Sequence, residues 1–172
     1  MTLFLVGYMG SGKSVIGEKL ADVLNYDYID FDDYIENQEK ASIQTIFKTK
    51  GEIYFRKAES KYLKDVISLH RTIISLGGGT PCYGNNMDIL LSAEDSKTIY
   101  LKAMVSTLCD RLFTEKEKRP LISHIPSKES LNEFIGKHIF ERAPFYEQSH
   151  MSVKTDQLTV DDIVESITLQ LF

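Results

Sequence analysis

The sequence predicts an α/β protein in which a parallel sheet is covered by helices on both faces. Three observations carry that class: five short apolar runs read as strands, helical stretches fill the gaps between them, and glycines end the first and third runs. Strands alternating with helices are the mark of parallel sheets, because each crossover lays a helix on a face. At 172 residues the chain fits one compact domain that can bury a core without disulfide or metal staples.

Leu3-Phe4-Leu5-Val6 is the first run, stopped by Gly7, and its length suits a buried strand. Apolar residues then recur at Ile16, Leu20, Val23 and Leu24, lining one side of a helix. Tyr28-Ile29-Asp30 reads as the second strand, Thr72 to Leu76 as the third, Thr98 to Leu101 as the fourth and Met151 to Lys154 as a weaker fifth. Helical patterns cover Ser42 to Thr49, Glu52 to Leu69, Val105 to Phe113, Lys128 to Glu147 and Val160 to Leu171. Glu115 to Pro120 is charged and has no apolar anchor, so a mobile lid is expected over about 114–125. No linker interrupts the pattern, and 1–172 reads as a single domain.

Lys and Arg total 20 against 25 Asp and Glu, a formal net charge of −5. Nucleic acid or an anionic membrane would call for a basic face, so neither is expected as a partner. Cys82 and Cys109 have no metal-ligand or redox spacing, which points to a reducing compartment. The first residues carry neither a basic signal region nor a spanning apolar stretch, so a cytoplasmic protein is expected, and a monomer. His70, His124, His138 and His150 are scattered and read as surface or capping residues, and Cys82 as a packed thiol.

Gly7-Tyr8-Met9-Gly10-Ser11-Gly12-Lys13-Ser14 fits the phosphate-binding pattern G-x-x-x-x-G-K-[ST], with a strand before it and an amphipathic helix after it. Glycines let the backbone wrap a phosphate, and the helix start supplies unpaired N–H groups and a favourable dipole. Lys13 is placed to reach the β- and γ-phosphates and Ser14 to bind Mg²⁺. The order G-x-x-G-x-G excludes a dinucleotide fingerprint. No N-K-x-D element for guanine exists anywhere in the chain, and the chain is short for a motor ATPase. A small kinase remains, holding ATP and an acceptor in one domain. Tyr8 and Met9 either touch substrate or pack, and the sequence does not decide between these.

Acceptor groups are expected at the carboxyl ends of the strands. Asp30-Phe31-Asp32-Asp33 follows the second strand and Gly77-Gly78-Gly79 the third. Six of the ten glycines lie in the phosphate loop or this triplet, which argues for close backbone approach. On an extended segment Asp30 and Asp32 face the same way, one to hold magnesium through water and the other to take a hydroxyl proton. The alternative is that Asp32 or Asp33 caps a helix.

Six motifs in register resemble the shikimate kinase family: Gly7 to Ser14, Asp30-Phe31-Asp32-x-x-Ile35-Glu36, Gly51-Glu52-x-x-Phe55-Arg56-x-x-Glu59, Leu76-Gly77-Gly78-Gly79, Arg119-Pro120-Leu121 and Arg142-Ala143-Pro144-x-Tyr146. Their order and spacing match the family from about residue 3 to residue 155. The resemblance implies a P-loop kinase fold of nucleoside-monophosphate-kinase type, with strand order 2-3-1-4-5. It also implies transfer of the ATP γ-phosphate to the 3-hydroxyl of shikimate, in aromatic amino-acid biosynthesis. It assigns Asp32, Arg56, Arg142 and the backbone of Gly77, Gly78 and Gly79 to shikimate, and Gly10, Ser11, Gly12, Lys13, Ser14 and Val15 to ATP. Mg²⁺ falls to Ser14, helped through water by Asp30. Lys13 and Arg119 fall on the transferring phosphoryl group, Asp32 on the acceptor hydroxyl, and Arg111 beside the adenine. Two features depart from the family: Thr155 to Leu158 lacks the usual proline, and the Glu115-Lys116-Glu117-Lys118 run has no counterpart. A gluconate kinase on the same fold is the nearest alternative, and a nucleotide-binding regulatory module a more distant one. The bottom-up chemistry agrees, because paired arginine forks are the expected readers of a carboxylate such as shikimate's.

Overall fold

A computed structural model of residues 1–172 places β1 (Thr2–Val6) at the centre of a five-stranded parallel sheet. It pairs with β3 (Thr72–Ser75) on one side and β4 (Ser96–Lys102) on the other. β2 (Asp27–Asp30) and β5 (Met151–Lys154) form the edges, so the order is β2-β3-β1-β4-β5, as the resemblance implies. Alternation along β1 divides the interior. Leu3 and Leu5 face a core closed by α1 (Lys13–Leu24) and α7 (Val160–Leu171). Phe4 and Val6 face the larger core, closed by α2 (Phe31–Glu39), α3 (Ile43–Val66), α4 (Asn86–Ser92), α5 (Val105–Glu115) and α6 (Lys128–Tyr146). All four side chains are fully buried, which is why the run is continuously apolar. No helix is long and apolar enough to cross a membrane.

Two expectations need correction, and a third holds. Asp30 to Asp33 is not extended: Asp30 is the N-cap of α2, and its Oδ1 accepts from the backbone N–H groups of Asp32 and Asp33 at 3.0 and 3.3 Å. Capping therefore falls to Asp30 rather than to Asp32 or Asp33, and Asp32 stands in the first helical turn. Phe31 and Ile35 of α2 are buried and Tyr34 packs partly buried beside them, a single apolar turn with nothing to repeat it in the rest of the helix. The two helices predicted across 42–69 are both present, and α3 is broken between them at Gly51, whose φ of 85° and ψ of 170° are not helical. The charged stretch is exposed at Glu117, Lys118 and Pro120, but Ile122 and Ile125 are buried in the larger core. An apolar anchor is thus lacking only up to Leu121, and Lys116 Nζ further ties the segment to the Ile125 carbonyl at 2.8 Å.

Candidate active site

Gly12 adopts φ 91° as the N-cap of α1, a backbone that a side chain would strain, and no side chain caps the helix start, which leaves its first N–H groups for an anion. Lys13, next in the chain, folds back over the loop, and its Nζ donates to the carbonyls of Gly7 and Tyr8 at 2.8 and 3.0 Å. Ser14 Oγ donates to Asp30 Oδ2 at 3.4 Å, joining the start of α1 to the end of β2. Arg111, from α5, donates through Nη1 to the Gly10 carbonyl at 3.0 Å. Arg119 lies on the same side, its Nη2 donating to Glu115 at 3.3 Å.

These groups line one cavity of about 450 Å³ together with Val15, Asp32, Gly77 and Gly78. Ser11 does not line it: the residue is buried, and its Oγ has no hydrogen-bond partner. Burial pushes the Lys13 ammonium down to about 8, against the opposing pull of Asp32 and Asp30. Burial also pushes the Asp32 carboxyl up to about 6, reinforced by the negative charges of Asp30 and Glu59.

The triplet after β3 forms the floor between three predicted side chains. A Cβ on Gly77 would stand 2.7 Å from Asp32 Oδ1, one on Gly78 3.1 Å from Arg142 Nη1, and one on Gly79 2.8 Å from Arg56 Nη2. Each glycine thus makes room for one group from a different helix, α2, α6 or α3. Arg56 and Arg142 do not line the phosphate cavity itself; Arg56 borders an adjoining groove of about 760 Å³ with Tyr83.

Arg56 is firmly held. Its Nη1 donates to Glu59 at 2.9 Å, its guanidinium lies 3.8 Å over the Tyr83 ring, and its buried Nε has no partner. Glu59 is 1% exposed, and its second oxygen accepts from Thr80 Oγ1 at 2.6 Å, fixing the turn that follows the triplet. Tyr146, fully buried, donates to the Gly78 carbonyl at 2.5 Å. Glu59 and Tyr146 stand within the motifs, and the sequence alone attaches no role to either. A glutamate on the same helix face as Phe55, Tyr62 and Leu63, three residues after an arginine, was the available signal. Tyr8 is likewise resolved: it is buried and packs, its hydroxyl 2.9 Å from His138 Nδ1. His138 is accordingly half-buried and bonded rather than a surface residue. Cys82 is half-buried beside Gly78, and burial pushes its thiol up to about 11, as a packed thiol would have it.

A phosphate loop at the head of a five-stranded parallel sheet, facing an acidic side chain and two arginine forks, defines a P-loop kinase with a small acceptor. The family model described as Shikimate kinase matches residues 9–172. A shikimate kinase of Flavobacterium johnsoniae is 43% identical over 166 residues, covering 96% of this chain and 95% of that protein. The crystal structure of shikimate kinase from Bacteroides thetaiotaomicron superposes with a TM-score of 0.91 at 32% identity, covering 99% of this chain and 98% of that one. Shikimate kinase from Acinetobacter baumannii, solved in complex with shikimate, gives a TM-score of 0.85 at 28% identity over 99% of this chain and 92% of that one. The chain belongs to the shikimate kinase family.

Proposed function

We propose that this chain transfers the γ-phosphoryl group of ATP to the 3-hydroxyl of shikimate, giving shikimate 3-phosphate and ADP on the route to chorismate and the aromatic amino acids. The observation that carries the reading is the convergence of Asp32, Arg142 and Arg56 on the three glycines after β3, beside the loop that holds Lys13. Shikimate carries one carboxylate and three hydroxyls. Planar guanidinium forks match the carboxylate, and the glycine backbone lets the ring approach closely.

Asp32, near pH 7 mostly ionised yet close to its midpoint, accepts the 3-hydroxyl proton as that oxygen attacks phosphorus and the bond to the ADP oxygen breaks. Lys13 and Arg119 neutralise charge on the phosphoryl oxygens, and backbone N–H groups from Gly10 to Val15 cradle the phosphates. Arg119 must leave Glu115 to do so. That exposed pair, four residues apart, is worth only about 0.3–0.5 kcal/mol, so release is easy. Residues 115–121 act as the lid that delivers it. Arg111 anchors the loop and flanks the base of the nucleotide.

The Ser14 hydroxyl and Asp30 carboxylate, 3.4 Å apart at the phosphate end, are hard oxygen donors of the kind that suits Mg²⁺. When bound there with ATP, the ion neutralises the β- and γ-oxygens. Ser14 would hold it directly, and Asp30 through water. The chain acts in this reading as a monomer on small molecules, and a cytoplasmic location fits a biosynthetic enzyme that uses ATP.

The test replaces the arginines. Charge-assisted hydrogen bonds are worth about 1.5–3 kcal/mol, so Arg56→Ala or Arg142→Ala costs roughly 10- to 150-fold in kcat/KM for shikimate. Lysine rescues poorly, because a point charge does not reproduce a two-pronged contact. ADP affinity, titrated separately, stays close to that of the parent. Loss of ADP binding with shikimate binding intact would assign these arginines to the nucleotide and end the proposal.

A further inference from the structure

Tyr8 lies inside the phosphate loop, but its side chain is 2% exposed and packs against α6. Its hydroxyl is 2.9 Å from His138 Nδ1, and the two rings meet edge to face with centroids 5.3 Å apart. Phe134, one turn earlier on α6, packs on the same imidazole at 5.5 Å and holds it in place. One turn later on that face stands Arg142, whose guanidinium carbon is 6.0 Å from the centre of the Tyr8 ring. The main chain of the same tyrosine accepts from Lys13 Nζ at 3.0 Å. One residue therefore touches the phosphate-binding ammonium through its carbonyl and the turn bearing Arg142 through its side chain.

The ammonium has two alternative sets of partners. Here it donates to the loop's own carbonyls, at Gly7 and Tyr8. To meet the β- and γ-phosphates it must give up part of those contacts, which frees the Tyr8 peptide to settle differently. The hydroxyl–imidazole contact joins a buried ring to a half-buried one that is itself packed against Phe134, so a shift of the Tyr8 peptide is passed to α6.

The geometry points to Tyr8 and His138 as a pair of positioning residues that couple the two substrate sites, so that nucleotide on Lys13 sets how α6 presents Arg142 and thereby raises affinity for the acceptor. This rests on the reading of Arg142 as an acceptor-binding residue. Coupling of this kind is reciprocal: shikimate must tighten ADP by the same factor by which ADP tightens shikimate.

The experiment is calorimetric titration of shikimate, with and without saturating ADP, into the unsubstituted chain, Tyr8→Phe, His138→Asn, the double variant and Arg142→Ala. In the unsubstituted chain ADP tightens shikimate by a factor within the usual range of about 5–150. Tyr8→Phe keeps the ring and removes only the hydroxyl, and it lowers that factor about threefold or more, as does His138→Asn. The double variant falls no further than either single one, since the pair acts as a unit. A pair that merely packs would weaken shikimate binding equally with and without ADP; an unchanged factor in both single variants overturns the proposal, and so does a factor of one in the unsubstituted chain. Should Tyr8→Phe fail to fold, His138→Asn and His138→Gln decide the matter. Arg142→Ala separates the two readings: full shikimate affinity there defeats the acceptor assignment itself, whereas weakened affinity beside an unchanged factor in Tyr8→Phe defeats the coupling alone.

Discussion

Lys13 and Asp32 face one cavity, and burial displaces both toward neutrality, the ammonium down to about 8 and the carboxyl up to about 6. In the free enzyme the working state, with Lys13 charged and Asp32 ionised, is therefore fullest between those values. The expected kcat/KM profile for shikimate falls below about pH 6 and above about pH 8, read from initial rates across the range. Stability carries the same signature with a definite sign. Between its ordinary 3.8 and about 6, Asp32 keeps in the folded state a proton that the unfolded chain has released, so its contribution to stability is lost as pH rises through that window. The loss is at most about 3 kcal/mol and smaller after solvent screening. Asp32→Asn should thus unfold later than the parent at pH 7.5 in urea, with the gap closing near pH 4, while turnover collapses. A gap that widens toward acid would contradict the burial of this carboxyl.

At the scale of elements, the parts legible in the sequence were those with a strong period or a hard stop. β1 and β3 are apolar runs ended by glycine, and β5 and α7 match residue for residue. α2 was hidden because its apolar residues, Phe31, Tyr34 and Ile35, fill a single turn and do not recur over the rest of the helix, and α4 because seven residues span scarcely two turns. The lid was legible as charge but not as attachment, since Ile122 and Ile125 are isolated apolar residues whose burial depends on α5 and α6 packing around them. The anchor divides the segment into two kinetic regimes. Hydrogen exchange over 115–121 should slow on adding an ATP analogue with shikimate, whereas amides around Ile122 and Ile125 should already be protected without either ligand. Equal exchange over 115–121 in both states would speak against closure there.

At the scale of the whole molecule, the acceptor-binding side chains stand on one face of the sheet, while the smaller core on the other face joins α7 to α1, the helix that bears Lys13 and Ser14. The helices carrying Asp32, Arg56 and Arg142 all pack on the larger core, while α7 serves only the smaller one. Ile167, fully buried on α7, belongs to that smaller core. Ile167→Ala should cost about 2–5 kcal/mol in urea unfolding and leave KM for shikimate unchanged at 25 °C. A shifted shikimate KM would show that the two faces are not independent. This division also explains how far the site could be read in advance. Loop, triplet and arginines are each visible as short strings, but their meeting depends on five separate elements, and no spacing along the chain encodes it. The family resemblance supplied the grouping. Glu59, which holds Arg56 and Thr80 together from the inside, needed the packed structure to reveal its role.

Asp30 ends β2, caps α2 with one carboxylate oxygen and meets Ser14 with the other. In evolutionary terms the position is pleiotropic, because one short side chain serves a strand end, a helix start and the phosphate pocket at once. Asparagine would keep the cap and discard the charge; glutamate would keep the charge on an arm poorly suited to capping; serine would cap but fall short of Ser14. Drift at this site has no neutral first step, since every single replacement trades one duty against another. The route to altered metal or phosphate handling in this fold therefore runs through paired changes, a new cap supplied elsewhere before Asp30 is released.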